Sequence, residues 1–439
     1  MHKKQKTSIV WFTNNLRTKD NNLLKSASDN SDFIIGVYCI DFCASDITYY
    51  GFKKTNKFRA KFLLQTLNSL KKELNKLNIP LIILYKDYKN KFISTINEFK
   101  VTSIYVQKEW TRDEIIKIDS IKKIITDNVK FNEIYDQFLY DPDNIPFSFK
   151  NIPDIFTKFR KELEKKGEII PLVKINKKPK PLKVKNNLKI PSLEDLGYKD
   201  FEVDNRTAFP FEGGEINAIE RLNEYLFKTK LIGDYKNTRN GLLGTNYSSK
   251  FSPWLANGSL SARQIFKNVK DFEIKYFSNQ STYWMVFELI WRDFFKYVSL
   301  KHKNKIFKLN GILNIEYNWS TNKKYIDHWI NGTTSNDFVN ANMIELKSTG
   351  WMSNRGRQNV ASYFAKNMKM DWRIGASYFE SMLIDYDVHS NYGNWIYVSG
   401  VGNDPRDRIF NLKRQAEIYD GDRKFRKKWL GVRIKQILV

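Results

Sequence analysis

Residues 349–410 read TGWMSNRGRQNVASYFAKNMKMDWRIGASYFESMLIDYDVHSNYGNWIYVSGVGNDPRDRIF. Trp372, Ala376, Phe379, Leu383 and Tyr386 recur at three- and four-residue spacing, one apolar stripe of a helix expected over 371–386. Around that stripe stand Trp351, Trp395, the acids Asp385 and Asp387, and the polar groups of Asn354, Arg355, Arg357, Gln358, Asn391 and Asn394. A helical core needs few such groups, and buried polar atoms without partners cost free energy. The mixture points to a flat, polar guest, best a redox cofactor. Asp385 and Asp387 would diverge by about 200° on one helix. If both face one ligand, the helix ends near Tyr386 and S-N-Y-G-N (390–394) forms a turn.

Working outward, 213–439 is helical almost throughout. Helices are expected over 215–227, 261–277, 281–300, 340–347 and 357–368 as well. Before it, 141–212 carries prolines 142, 146, 153, 171, 179, 181, 191 and 210, and a basic run KINKKPKPLKVK (174–185). That reads as a surface connector with one short helix near 154–166. Residues 1–140 alternate short apolar runs, expected strands at 7–12, 33–40, 81–85, 103–106 and 131–135, with amphipathic stretches, the clearest at 57–78. Such alternation makes a parallel sheet covered on both faces. The fold class is therefore an α/β doubly wound parallel sheet followed by an all-α domain. No G-x-G-x-x-G follows the first strand, which disfavours a nicotinamide dinucleotide site.

The 439 residues carry 74 Lys and Arg against 48 Asp and Glu, a net charge of +26. Such a field attracts polyanions, nucleic acid first and anionic membrane second. Cys39 and Cys43 are too few for a disulfide framework or structural zinc, and suit a reducing compartment. His2, His302, His328 and His389 are scattered and form no metal or nucleophile constellation. No apolar run reaches the roughly 18 residues of a membrane span, and no signal core precedes the first strand. The expectation is a cytoplasmic monomer.

Three further stretches carry chemistry. GTNYSSKFSPWLANGSLSAR (244–263) offers Ser248, Ser249, Lys250 and Ser252, donors and a cation suited to a diphosphate, with Pro253 able to open a helix beside them. A plain capped loop would read the same. STYWMVFELIWRDFFKYV (281–298) puts Trp284, Glu288, Trp291, Arg292 and Phe295 on one helical face, able to stack a nucleobase and pair with its edge. An aromatic core stripe with a structural ion pair is the alternative. Trp319, Trp372 and Trp395 could form a row of oxidisable indoles, or simply fill the core.

These stretches resemble the photolyase/cryptochrome family, specifically its cryptochrome DASH branch. The likeness runs through WFTNNLRTKDNNLL (11–24), KTNKFRAKFLLQTL (54–67), IPDIFTKFRKELE (152–164), YKNTRNGLLGTNYSSKFSPWLANGSL (235–260) and STYWMVFELIWRDFF (281–295), and ends in GVGNDPRDRIF (400–410). The resemblance implies an α/β antenna domain and a helical domain holding a U-shaped FAD. On it, Tyr235, Ser248, Ser249, Lys250, Phe251 and Ser252 match contacts to the FAD diphosphate and ribityl chain. Asn354, Arg357, Asp385, Asp387 and Asn391 match residues around the flavin ring, with Arg357 and Asp385 an ion pair. Trp395, Trp372 and Trp319 match a photoreduction chain running outward. Glu288, Trp291, Arg292, Arg239 and Arg408 match DNA- and lesion-contacting positions. Glu109, in VQKEW, sits where relatives contact a methenyltetrahydrofolate antenna. Asn354 and Gln358 stand where photolyases of (6-4) lesions carry histidines, and Gln358 with Tyr397 fits the DASH pattern. The implied activity is that of a deoxyribodipyrimidine photo-lyase, repairing cyclobutane pyrimidine dimers in single-stranded DNA by electron transfer from reduced FAD. A blue-light photoreceptor that binds nucleic acid without repair is the alternative.

Overall fold

The computed structural model describes residues 5–126, 128–184 and 189–431; Lys185, the end of the basic run, lies outside them. Five parallel strands, β1 (Thr7–Phe12), β2 (Phe33–Cys39), β3 (Leu81–Leu84), β4 (Ser103–Gln107) and β5 (Lys130–Ile134), form one sheet in the order β3-β2-β1-β4-β5. In the central strand TSIVWF every residue is buried. Alternation sends Val10 and Phe12 to one face and Ile9 and Trp11 to the other. Helices α1 (Asn22–Asn30) and α2 (Lys57–Lys76) cover the first face, α3 (Tyr88–Glu98) and α4 (Arg112–Lys122) the second. This is the doubly wound half read from the sequence.

After α5 (Phe156–Lys166) and an irregular stretch over 167–184 and 189–214, the chain is mainly helical: α6 (Glu215–Asn223), α7 (Tyr235–Thr238), α8 (Ser252–Ala256), α9 (Ala262–Lys275), α10 (Gln280–His302), α11 (Lys323–Asn331), α12 (Asp337–Thr349), α13 (Asn354–Ser362), α14 (Trp372–Met382), α15 (Val388–Ser399), α16 (Leu412–Asp420) and α17 (Lys424–Leu430). The helices expected at 215–227 and 357–368 both finish in a wider π turn, at Glu224–Lys228 and Tyr363–Asn367. The helix expected over 371–386 stops at Met382, and S-N-Y-G-N is not a turn but lies inside α15. Asp387 causes the new start, since its carboxylate caps the Ser390 amide. Gly393 serves packing rather than a turn; any Cβ there would collide with the Phe295 ring.

A buried ionic cluster joins the two halves. Arg263 reaches Asp20 at 3.0 Å and Asp136 at 2.9 Å, and Arg17 pairs with Asp136 from the other side. Next to it, Gly258 holds φ +72°, and its carbonyl accepts from Arg17 at 3.1 Å. A Cβ on Gly258 would overlap the Asn14 carbonyl. Gly258→Ala therefore combines a left-handed alanine, ~1–2 kcal/mol, with overpacking of ~1–3 kcal/mol. The expected result is a clearly lower urea midpoint, read by circular dichroism.

Candidate cofactor and nucleic-acid site

A concavity of the helical half has a volume of about 570 Å³ and opens to solvent. A smaller one of about 80 Å³ adjoins it, sharing Asn354, Arg357, Gln358, Asp385 and Asp387. Together they fall in the range of ligand pockets, roughly 300–1,000 Å³.

The loop between α14 and α15 forms the floor, which is why the early end of α14 matters. Asp385, its side chain 2% exposed, accepts both bonds of the Arg357 Nη2 at 2.9 Å and one from Ser252 Oγ at 2.7 Å. Arg357 is anchored in turn, donating Nε–H to the Met352 carbonyl. Asp387 accepts from Lys296 Nζ at 3.1 Å. Burial acts to raise the Asp387 carboxyl, but Lys296, with Arg292, holds it well below the usual carboxylate range. Asn391 lines the smaller cavity and donates Nδ2–H to the Ala376 carbonyl.

Tyr235, Ser248, Ser249, Phe251 and Ser252 line one wall, where the expected diphosphate cradle falls. Lys250 lines it as well, in a left-handed conformation at φ +66°. Its ammonium is turned into the protein. It lies buried 2.9 Å over the Tyr247 ring with no hydrogen-bond partner, and burial drives its pKa far down. The hydroxyls and main chain of this wall are donors of the kind a diphosphate takes.

At the mouth stand Glu288, Trp291, Tyr397, Arg239 and Arg408. Glu288 and Arg239 form a close salt bridge. Burial pushes the Glu288 carboxyl up, opposed by Arg239. Trp291 stacks on Phe156 at 3.6 Å, which fixes its plane. Arg408 donates to the Tyr397 hydroxyl at 3.2 Å. Arg292 lines the cavity too, and its guanidinium donates to the Gln137 carbonyl at 2.6 Å and the Leu255 carbonyl at 3.3 Å.

Trp395, 2% exposed, borders the smaller cavity, and its Nε1–H has no partner. Its ring packs against Gly375, one turn along α14 from the fully buried Trp372. Trp372 bonds the Leu309 carbonyl at 2.9 Å. Half-buried Trp319 is drawn to the start of α14 by Ser320, which bonds Lys369 and Asp371 through the main chain. Trp329, which the sequence reading did not single out, lies edge-on to Trp395 at 6.3 Å.

A second cavity of about 200 Å³ lies between the halves, lined by Glu109, Arg112, Glu114, Lys117, Arg59, Glu380 and Asp387 among others. Glu109 accepts from Gln107 at 2.7 Å. Burial, reinforced by Glu114, pushes its carboxyl up to about 8. Lys296 behind this wall escaped the sequence reading, which also gave His389 no role. The one available signal was a lysine inside the apolar run 294–300. Among the described residues no cluster of acids, histidines or cysteines could hold a metal, and no helix is long and apolar enough to cross a membrane.

Comparison with known proteins agrees with this architecture. The description "FAD binding domain of DNA photolyase" matches residues 284–433, and "DNA photolyase" matches residues 8–182. A cryptochrome DASH of Gloeobacter violaceus is 40% identical over 427 residues, covering 97% of this chain and 85% of the relative. One of Danio rerio is 40% identical over 431 residues, covering 97% and 83%. The crystal structure of a Synechocystis sp. cryptochrome superposes with a TM-score of 0.91 at 40% identity, covering 98% of this chain and 89% of that one. With a photolyase-type FAD-binding domain and full-length likeness of this order, the chain belongs to the photolyase/cryptochrome family, in its cryptochrome DASH branch.

Proposed function

We propose that this protein is a light-driven deoxyribodipyrimidine photo-lyase, acting on cyclobutane pyrimidine dimers in single-stranded DNA. One observation supports it above the rest: a polar cavity whose floor is the Arg357–Asp385 pair, with a mouth formed by Glu288, Arg239, Trp291, Tyr397 and Arg408. The donor set suits FAD, and the unpartnered Trp395 Nε1–H beside the inner cavity is the kind of group a bound ring would meet. Ser248, Ser249, Phe251, Ser252 and Tyr235 would hold the diphosphate and ribityl chain, and Asn354, Arg357, Asp385, Asp387 and Asn391 the ring. When bound, FAD supplies light-driven one-electron redox chemistry.

The chain's own residues do the rest. Glu288 can hydrogen-bond the lesion, while Trp291 offers a fixed apolar face. Arg239 and Arg408 meet the flanking phosphates. Trp319, Trp372 and Trp395 pass an electron inward from the surface. A dimer in a single strand reaches the mouth without the unpairing cost of a duplex, a few kcal/mol. The net charge of +26 supplies strand affinity that falls with salt. In the same reading residues 1–140 form the antenna domain and 213–439 the FAD-binding domain, and the interdomain cavity takes methenyltetrahydrofolate against Glu109.

The test exposes purified protein to a dimer-containing single-stranded oligonucleotide, lit and dark. Light-dependent loss of dimers is the expected result; none, with flavin reduction intact, leaves the photoreceptor as the reading. Glu288→Ala should lower repair about 10- to 100-fold, the worth of one charge-assisted hydrogen bond at ~1.5–3 kcal/mol, with flavin content unchanged. Full repair by that variant removes Glu288 from the lesion site.

A further inference from the structure

The outermost indole of the row, Trp319, has an aromatic neighbour. Tyr317 sets its ring 5.4 Å from the indole at an interplanar angle of 62°. The Tyr317 hydroxyl donates to Asp407 Oδ2 at 2.9 Å. Asp407 Oδ1 holds a close ion pair with Lys366, whose side chain is 8% exposed. The Lys366 ammonium stands 4.8 Å over the Tyr317 ring. The stretch before α11, the π turn at Tyr363–Asn367 and the loop after α15 thus meet at one phenol.

The backbone is shaped for this meeting. Gly400 holds φ +78°, and any Cβ there would collide with the Asp407 carboxylate and the Lys366 ammonium. Asp407 itself sits at φ +42°, in the left-handed region that residues other than glycine seldom enter. Such conformations persist where surrounding contacts enforce them, and they gather at functional positions.

The two rings differ in what they can do with a proton. Trp319 Nε1–H is buried without a partner, so an oxidised indole there has no base at hand. Tyr317 has one within the reach that proton transfer needs, roughly 2.6–3.2 Å. Burial and the Asp407 carboxylate keep the phenol protonated at rest. A phenol gives up an electron readily only as its proton leaves. Proton loss also leaves a neutral ring, which the ammonium above it does not repel.

We propose that Tyr317 is the terminal electron donor of the indole row, with Asp407 as its proton acceptor. This rests on the reading that Trp319, Trp372 and Trp395 pass an electron inward to light-excited FAD. Oxidised Trp319 takes one electron from Tyr317 and returns to the neutral indole. In the same step the phenolic O–H bond breaks and its proton passes to Asp407 Oδ2. The product is a neutral tyrosyl radical beside a carboxylic acid, on a side chain 37% exposed. A thiolate from solvent then returns the electron, the Asp407 proton goes back to the phenolic oxygen, and a thiyl radical departs. Until then the shifted proton hinders the electron's return from the cofactor, which gives the thiol time to act.

The experiment flashes purified holoprotein without thiol and reads its radicals by electron paramagnetic resonance. Wild type should show a neutral tyrosyl signal whose line shape changes when tyrosine is ring-deuterated. Tyr317→Phe should lose that signal and show a tryptophanyl one instead, with flavin content unchanged. Asp407→Asn, which keeps the shape without the base, should lose it too. A second readout needs no light: magnetic resonance of holoprotein carrying carbon-labelled tyrosine, kept dark. There the Tyr317 phenol, assigned by its absence in Tyr317→Phe, should titrate at lower pH in Asp407→Asn than in wild type, because Lys366 is then the charge beside it. A tryptophanyl signal alone in wild type, a tyrosyl signal that survives Tyr317→Phe, or equal titration in both proteins overturns the proposal and leaves the indole row standing. If Asp407→Asn does not fold, Tyr317→Phe decides. Absence of any protein radical in flavin-loaded wild type overturns the indole row as well.

Discussion

Arg357→Ala yields a protein that purifies without flavin. Asp385 is almost fully buried, and its two oxygens take three bonds, two from Arg357 and one from Ser252. Removing the guanidinium leaves a buried carboxylate with one hydroxyl as partner. Breaking such a pair costs ~3–5 kcal/mol. Arg357 itself is 23% exposed, so the lower end applies. The cost falls on the loop between α14 and α15, which forms the cavity floor, rather than on a hydrophobic core. The helical circular dichroism should therefore survive while bound flavin, measured as absorbance per protein after gel filtration, drops below detection. Arg357→Lys keeps the charge without the planar fork and should hold an intermediate amount. Full flavin content in Arg357→Ala would show that the pair is structural ballast and the cofactor is gripped elsewhere.

How much of this was legible beforehand depended on sequence distance. Thr7–Phe12 declares itself because both faces of a central strand are buried, so every residue is apolar or small. Asp385 and Asp387 were visible as a pair because their separation is incompatible with one helical face. The loop that resolves the conflict was placed four residues late, since Leu383 and Tyr386 continue the apolar period past the true helix end. Periodicity reports burial, and both residues remain largely buried after the helix stops. Lys296 and its partner Asp387 are 91 positions apart, and nothing local marks two groups that meet only in the fold. The same holds for Arg292, whose carbonyl partners Gln137 and Leu255 come from distant segments. Lys250 was legible as a cation beside the serines, but the direction of its side chain was not. A lysine in a serine-rich turn suggests a phosphate ligand, but its left-handed backbone sends the ammonium beneath Tyr247.

Trp395→Phe, by contrast, should leave flavin in place and slow its light-driven reduction by orders of magnitude in the presence of an external thiol. The indole touches the inner cavity and packs on Gly375, so phenylalanine fills most of the same space and costs little stability. What it removes is the oxidisable ring between the cavity and Trp372. Two buried indoles flank Trp395: Trp372 through α14, and Trp329 edge-on at 6.3 Å. Only the first leads on to a partly exposed indole, Trp319, at the start of α14. Trp372→Phe should therefore slow reduction nearly as much, and Trp329→Phe hardly at all. Equal loss in Trp329→Phe would show the electron leaving by a branch through α11. A normal rate in Trp395→Phe would dissolve the chain altogether, since no other indole among the described residues lines the inner cavity.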